Sequence, residues 1–127
     1  MRKMRKNKLA APALAVAVMA VLLFGGCRKA KSYGGEITSR QATPLKQILS
    51  DPNAYSGKTI TIEGKITNVC PTGCWFNLKD ENATIRIDLV PNGFAIPQNK
   101  GSGATVEGTV SVRDGQTEII GKAVEIR

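Results

Sequence analysis

Apolar and polar positions follow three successive patterns along the chain. From Leu9 to Phe24, "LAAPALAVAVMAVLLF" is an almost unbroken apolar run. Residues 27–42 are mainly polar and carry a Gly34-Gly35 pair, which predicts a flexible tether. From Thr43 onward the chain is patterned. "TPLKQILSDPNAY" predicts a short helix, with Thr43 as N-cap, Pro44 in the first helical position and Leu45, Ile48 and Leu49 on one face; Asp51-Pro52 ends it. After Lys58 the period changes to two. Ile60, Ile62 and Ile66 alternate with polar residues, followed by Phe76 and Leu78, then Ile85, Ile87 and Leu89. Val106, Val110 and Val112 continue the pattern, and Ile120, Val124 and Ile126 complete it. Alternation with one apolar row predicts strands that cover a core on one side only. Five strands result, with tight turns at Asp80–Asn82 and Asp114–Gln116. Gly64 and Gly108 fall on inward positions in the related phrases "TIEGKI" and "TVEGTV", where a bulge or sharp bend would close a small barrel.

The amino-terminal pattern changes how the charge is read. "MRKMRKNK" precedes the apolar run and small residues follow it, the layout of a secretory signal over residues 1–26. The run is shorter than the roughly 20 residues of a membrane span and Pro12 interrupts it. "FGGC" resembles the lipobox of bacterial lipoproteins, with Phe24 where leucine is usual. The resemblance implies that Cys27 becomes the lipidated first residue of the mature chain, and that the protein sits in the cell envelope, facing the periplasm or the exterior. The formal charge of +8 therefore overstates the basic surface. All 10 acidic residues but only 13 of the 18 basic ones follow Cys27, leaving +3. Arg28, Lys29 and Lys31 contribute to that excess beside the membrane, where anionic headgroups attract them. Nucleic acid is thus not favoured as a partner.

About 85 residues is near the lower limit for an independent core, so closure of the sheet would help. Five strands, glycines in the first and fourth, and the long connection "PNGFAIPQNKGSG" between the third and fourth resemble an OB-fold barrel. The fold expected is all-β, a five-stranded OB-fold-like barrel over residues 43–127 with a short N-terminal helix. "VCPTGCWFNLKDENATIRI" also resembles an uncharacterised family of bacterial secreted proteins and lipoproteins with a Cys…Gly-Cys-Trp motif, here Cys70, Gly73, Cys74 and Trp75. That resemblance implies a fold and a location, and does not assign a biochemical function.

Chemistry is sparse. The chain has no histidine, and its methionines precede Cys27, so Cys70 and Cys74 lack further soft ligands for zinc or copper within one mature chain. A shared four-thiolate site or a two-thiolate copper(I) site stays open as an alternative; otherwise no cofactor is expected. The spacing excludes c-type haem attachment and is one residue longer than a thioredoxin-like Cys-x-x-Cys, although a thiol-redox accessory role also stays open. The leading expectation is a disulfide, since "PTG" lets the chain reverse and an oxidising compartment permits the bond.

In OB-folds, ligands lie across the second and third strands, between the first–second and fourth–fifth loops. Inward Phe76 and Leu78 place Trp75, Asn77 and Lys79 outward, with Arg86 on the next strand and Arg113 at the fourth–fifth turn. These five are the expected ligand face. Without histidine, and with carboxylates scattered over turns and strand exteriors, an enzyme is not expected. A non-enzymatic binding module is the expectation, its ligand being of the oligonucleotide or oligosaccharide type, a small molecule or an envelope protein. The competing reading for Trp75 is packing beneath Asn92–Pro97.

Overall fold

The computed structural model describes residues 30–127. The expected signal segment and Cys27 lie outside the described residues. Strand β1 spans Lys31–Gly34, and two short helices follow, α1 (Leu45–Ser50) and α2 (Pro52–Tyr55). The remaining strands are β2 (Thr59–Val69), β3 (Trp75–Lys79), β4 (Thr84–Asp88), β5 (Gly103–Arg113) and β6 (Gln116–Ile126), with a 3₁₀ turn at Val90–Asn92.

Strand β2 pairs antiparallel with β3 on one side and β5 on the other, β3 pairs with β4, and β5 with β6. A short parallel ladder between β4 and β6, from Arg86↔Glu118 to Asp88↔Ile120, closes the ring. The result is a closed five-stranded barrel of the OB-fold-like all-β class, as the alternation predicts. Phe76, Leu78, Ile87, Leu89, Ile62, Val106 and Val124 are fully buried inside it. Helix α1 adds Leu45 and Ile48 to that core.

The glycines on the inward rows allow backbones to cross closely. A Cβ on Gly64 would overlap the Lys79 carbonyl, and one on Gly108 would overlap that of Ile120. At Gly108 the β5–β6 register also shifts: Glu107 faces Ala123 while Gly108 faces Gly121, and Lys122 is left over. This bulge corrects one expectation. Inward positions change parity at Lys122, so Ile119 is fully buried while Ile120 is only half-buried.

Two further expectations are corrected. Thr43 does not cap α1: it lies one residue before the cap, where its N–H bonds the Thr61 carbonyl at 2.8 Å, and the N–H groups of Gln47 and Ile48 point to the Pro44 carbonyl. Pro44 takes the N-cap position, and Asp80 Oδ2 accepts the Leu45 N–H at 2.9 Å. Nor is the polar segment 31–42 a free tether: β1 pairs with the end of β6, and Gly35 N–H bonds the Lys122 carbonyl at 2.8 Å. Thr38 donates to Glu107 from its N–H (2.7 Å) and its hydroxyl (2.5 Å), and Arg40 forms two bonds to the Glu125 carboxylate. Tyr33 packs against the core. The segment is polar because its partners are polar.

Candidate functional site

The barrel's outer wall falls into two parts. Over β2 and β5, the outward residues Thr61, Thr105 and Glu107 are at most 6% exposed. Thr61 hydroxyl donates to the Ser39 carbonyl, Thr105 accepts from Arg127, and Glu107 is held by Thr38. The Thr38 hydroxyl and N–H hold the Glu107 carboxyl below its ordinary range, against the opposing effect of burial. Glu125 is lowered mainly by its hydrogen bonds with Arg40. The chain itself satisfies these polar groups, and the groove that remains beside them, of about 360 Å³ and lined by Ser39, Gln41, Gln47, Thr59, Thr61 and Glu107, is smaller than the one on the other part of the wall.

The other part runs over β3, β4 and the start of β6, and stays open. Cross-strand pairing sets one polar row across it: Asn68, Asn77, Arg86, Glu118 and Ser111 stand opposite one another in turn. Paired residues share a face, so the row is a consequence of register. Arg86 lies over the Trp75 ring, 4.3 Å from its centroid, in cation–π geometry. Its Nε is 4.0 Å from Glu118 Oε1, and Arg113 reaches Glu118 Oε2 at 3.6 Å. A groove of about 570 Å³ opens here, lined by Arg86, Asp88, Arg113, Asp114, Gln116, Thr117 and Glu118. Asp114 (φ 52°) and Gly115 (φ 77°) form its rim as a two-residue hairpin turn with both residues left-handed.

Of the five expected ligand-face residues, the structure joins Trp75, Asn77, Arg86 and Arg113 around this row. Lys79 stands apart, opposite Lys65 and Thr84 at the far end of β3. Glu118 was not anticipated. It belongs to the site through the parallel β4–β6 ladder, which joins residues far apart in sequence, and the changed parity of β6 hides its outward position. A second groove of similar size lies between Pro44, Lys46, Glu63 and the Asp80–Asn82 turn. Burial alone would raise the Asp80 carboxyl, yet N–H donors from Leu45, Asn82 and Ala83 hold it below the usual aspartate value. Since that carboxylate already serves as a cap and turn former, the open wall is the better candidate.

The Cys70–Cys74 hairpin borders the open wall at the start of β3. Gly73 N–H donates to the Cys70 carbonyl at 2.7 Å, closing a turn over Pro71 and Thr72, and Cys70 N–H bonds the Trp75 carbonyl at 2.9 Å. Gly73 is left-handed (φ 76°), and a Cβ there would collide with the Ile96 carbonyl, so only glycine fits. Ile96 N–H bonds the Gly73 carbonyl and Gln98 Nε2 donates to the Cys70 carbonyl at 2.8 Å. The loop Asn92–Pro97 thus anchors on Gly73. The Cys70 and Cys74 sulfurs stand 2.7 Å apart, close but not joined as a disulfide in this structure, with Thr72 Oγ1 3.4 Å from Cys70 Sγ. Cys70 is 9% exposed and Cys74 half-buried. Contacts from the Cys74 thiol and then from Thr72 lower the Cys70 thiol to about 6. Among the described residues, no group of three or more histidine, cysteine, aspartate or glutamate side chains converges as a metal site would require.

Comparison with known proteins bears on the fold. No protein-family model matches the chain. No curated protein matches it in sequence. Among solved structures it is similar to that of the hypothetical protein ygiW from E. coli, with a TM-score of 0.55 and 20% identity over 74% of this chain and 99% of that one. It is also similar to a Leishmania major Friedlin chain described as an aspartyl-tRNA synthetase, with a TM-score of 0.53 and 17% identity over 92% of this chain. The match spans 26% of that longer chain. At such identities the likeness carries the fold alone, an OB-fold-like barrel, in agreement with the strand order.

Proposed function

We propose that this chain is a non-enzymatic binding module of the cell envelope, tethered to the membrane through lipidated Cys27, that holds an oligosaccharide-type ligand on the open wall. The leader and the "GGC" element support the tether and the location facing the periplasm or exterior. One observation carries the binding reading. The polar residues of the β2–β5 wall are covered by the chain's own residues, whereas Arg86, its side chain 49% exposed, stands beside Trp75 in an open groove.

The charge pattern narrows the ligand. Two arginines, Arg86 and Arg113, face three carboxylates, Asp88, Asp114 and Glu118, so the groove has no excess of cations for a polyanion. Planar side chains that donate and accept along one row, Asn68, Asn77, Arg86 and Glu118, suit the hydroxyls of a neutral oligomer, with Trp75 as the adjacent apolar edge. Acid–base chemistry has little to draw on. There is no histidine, Asp88 Oδ1 accepts the Val90 N–H, and Glu118 is shared by two arginines.

Because Trp75 is the one tryptophan, its emission reports on the wall directly. Titration with neutral oligosaccharides, mixed-charge peptides and single-stranded oligonucleotides, at low and high salt, tests the reading. A saturating, salt-insensitive response to an oligosaccharide that Arg86→Ala abolishes is expected. Binding confined to oligonucleotides and falling steeply with salt would overturn it, and a response to peptides alone would replace the glycan with a protein partner.

A further inference from the structure

The thiols at the hairpin mouth lie outside the polar row, and the geometry there has its own chemistry. We propose that Cys70 and Cys74 form a reversible dithiol/disulfide couple that exchanges with the dithiol or disulfide of a partner. Cys74 is the sulfur the partner reaches, and Cys70 the sulfur that leaves and returns. This inference is independent of what the open wall binds.

Three observations carry it. First, the sulfurs are already in contact at 2.7 Å on a hairpin whose backbone is set by the Gly73–Cys70 and Cys70–Trp75 bonds, so pairing needs no rearrangement of the strands. Among the described residues, no third cysteine, aspartate or glutamate converges on the pair as a metal site would require. Second, the loop is held without the bond. Gln98 clamps the Cys70 carbonyl, and Ile96 clamps Gly73. A ring this short constrains the unfolded chain little, so a sulfur–sulfur bond here has less to contribute as a staple than as chemistry. Third, the two cysteines differ. Cys74 as a residue is the more exposed, while Cys70 is the more buried and its sulfur sits against the Thr72 hydroxyl. The depressed pKa of Cys70 supports the same division, because a low-pKa thiol is the better leaving group in exchange.

The exchange balances. Starting from the disulfide, a partner thiolate attacks Cys74 Sγ, the Cys70–Cys74 bond breaks, and its electron pair leaves on Cys70 as thiolate. The partner's second thiolate then attacks its own sulfur in the mixed disulfide, forming the partner disulfide and releasing Cys74 as thiolate. The two protons given up by the partner's thiols balance the two cysteine thiolates. Two electrons pass from the partner dithiol to this chain. Oxidation retraces the path: Cys74 forms the mixed disulfide with a partner disulfide, and Cys70 thiolate closes the ring.

The test uses the full chain equilibrated in glutathione buffers from fully reduced to fully oxidised, then trapped with a maleimide in denaturant. After cleavage at lysine, the peptide Ile66–Lys79 contains Cys70 and Cys74 but not Cys27. The expected result is a reversible passage from two adducts to none, the latter peptide two protons lighter, with a single midpoint inside the buffer range. Two adducts in the fully oxidised buffer would overturn the proposal. So would a bond that excess dithiothreitol leaves intact under native conditions, or both thiols masked by retained zinc or copper. The division of roles is read separately. With oxidised glutathione, Cys70→Ser is expected to form a mixed disulfide at Cys74 at least tenfold faster than Cys74→Ser forms one at Cys70; equal rates or the reverse order would overturn it.

Discussion

The two parts of the outer wall are built by one alternation rule and end in opposite states. Over β2 and β5, Thr61, Thr105 and Glu107 point outward, yet residues 38–42 and Arg127 bury and satisfy them. Over β3, β4 and β6, Asn77, Arg86 and Glu118 point outward in the same way, and their ion pairs are long, at 3.6 and 4.0 Å, and solvated. Strand pattern therefore decides that a residue faces out. Whether it serves structure or recognition depends on what lies over it. A carboxylate held by short donors stabilises the fold, whereas one in loose pairs with exposed arginines contributes little to stability and is free to meet a ligand.

The largest effect should come from the shared interior, which supports both parts. Phe76→Ala is expected to cost about 3–5 kcal/mol in urea denaturation, because it empties the centre of the barrel. Glu107→Ala breaks the covered part alone: removing two charge-assisted bonds should cost about 2 kcal/mol and raise hydrogen exchange across residues 31–42, leaving the Trp75 emission unchanged. Acid tests the same contacts without mutation. Glu107 and Glu125 have folded pKa values below the ordinary glutamate value, so their contribution is present above about pH 4.3 and is lost as pH falls through their lowered values. The urea midpoint should drop across that acid window, and the drop should shrink in Glu107→Ala. The smallest effect on stability is expected at the open part. Arg86→Ala should change it by less than ~1 kcal/mol while altering Trp75 emission, since it uncovers the ring. Stability lost at Arg86 and kept at Glu107 would invert the comparison.

Much of the barrel was legible in the sequence because burial of alternate residues imposes period two. Phe76, Leu78, Ile85, Ile87 and Leu89 fall inside as read. Strand β6 was harder. Ile119 and Ile120 are both β-branched, and only the leftover Lys122, a product of how β5 and β6 meet, decides between them. The segment 31–42 read as a tether because nothing nearby satisfies it. Thr38 and Arg40 find their carboxylates 69 and 85 residues further along the chain. Glu118 escaped for a related reason, since its place beside Arg86 exists only when β4 and β6 run parallel. The Trp75, Asn77 and Arg86 side of the site was readable because hairpin neighbours are fixed by local alternation. Lys79 satisfied the same alternation but lies too far along β3 to join the row.

On the proposed reading, the open wall, and not the covered one, receives the ligand. Amide chemical-shift mapping of the isotopically labelled chain, during titration with the oligosaccharide that changes Trp75 emission, tests it most directly. Shifts are expected at Trp75, Asn77, Arg86, Arg113 and Glu118, with Thr61, Thr105 and Glu107 undisturbed. Shifts confined to the segment 31–42, or to the groove beside Lys46 and the Asp80–Asn82 turn, would contradict it.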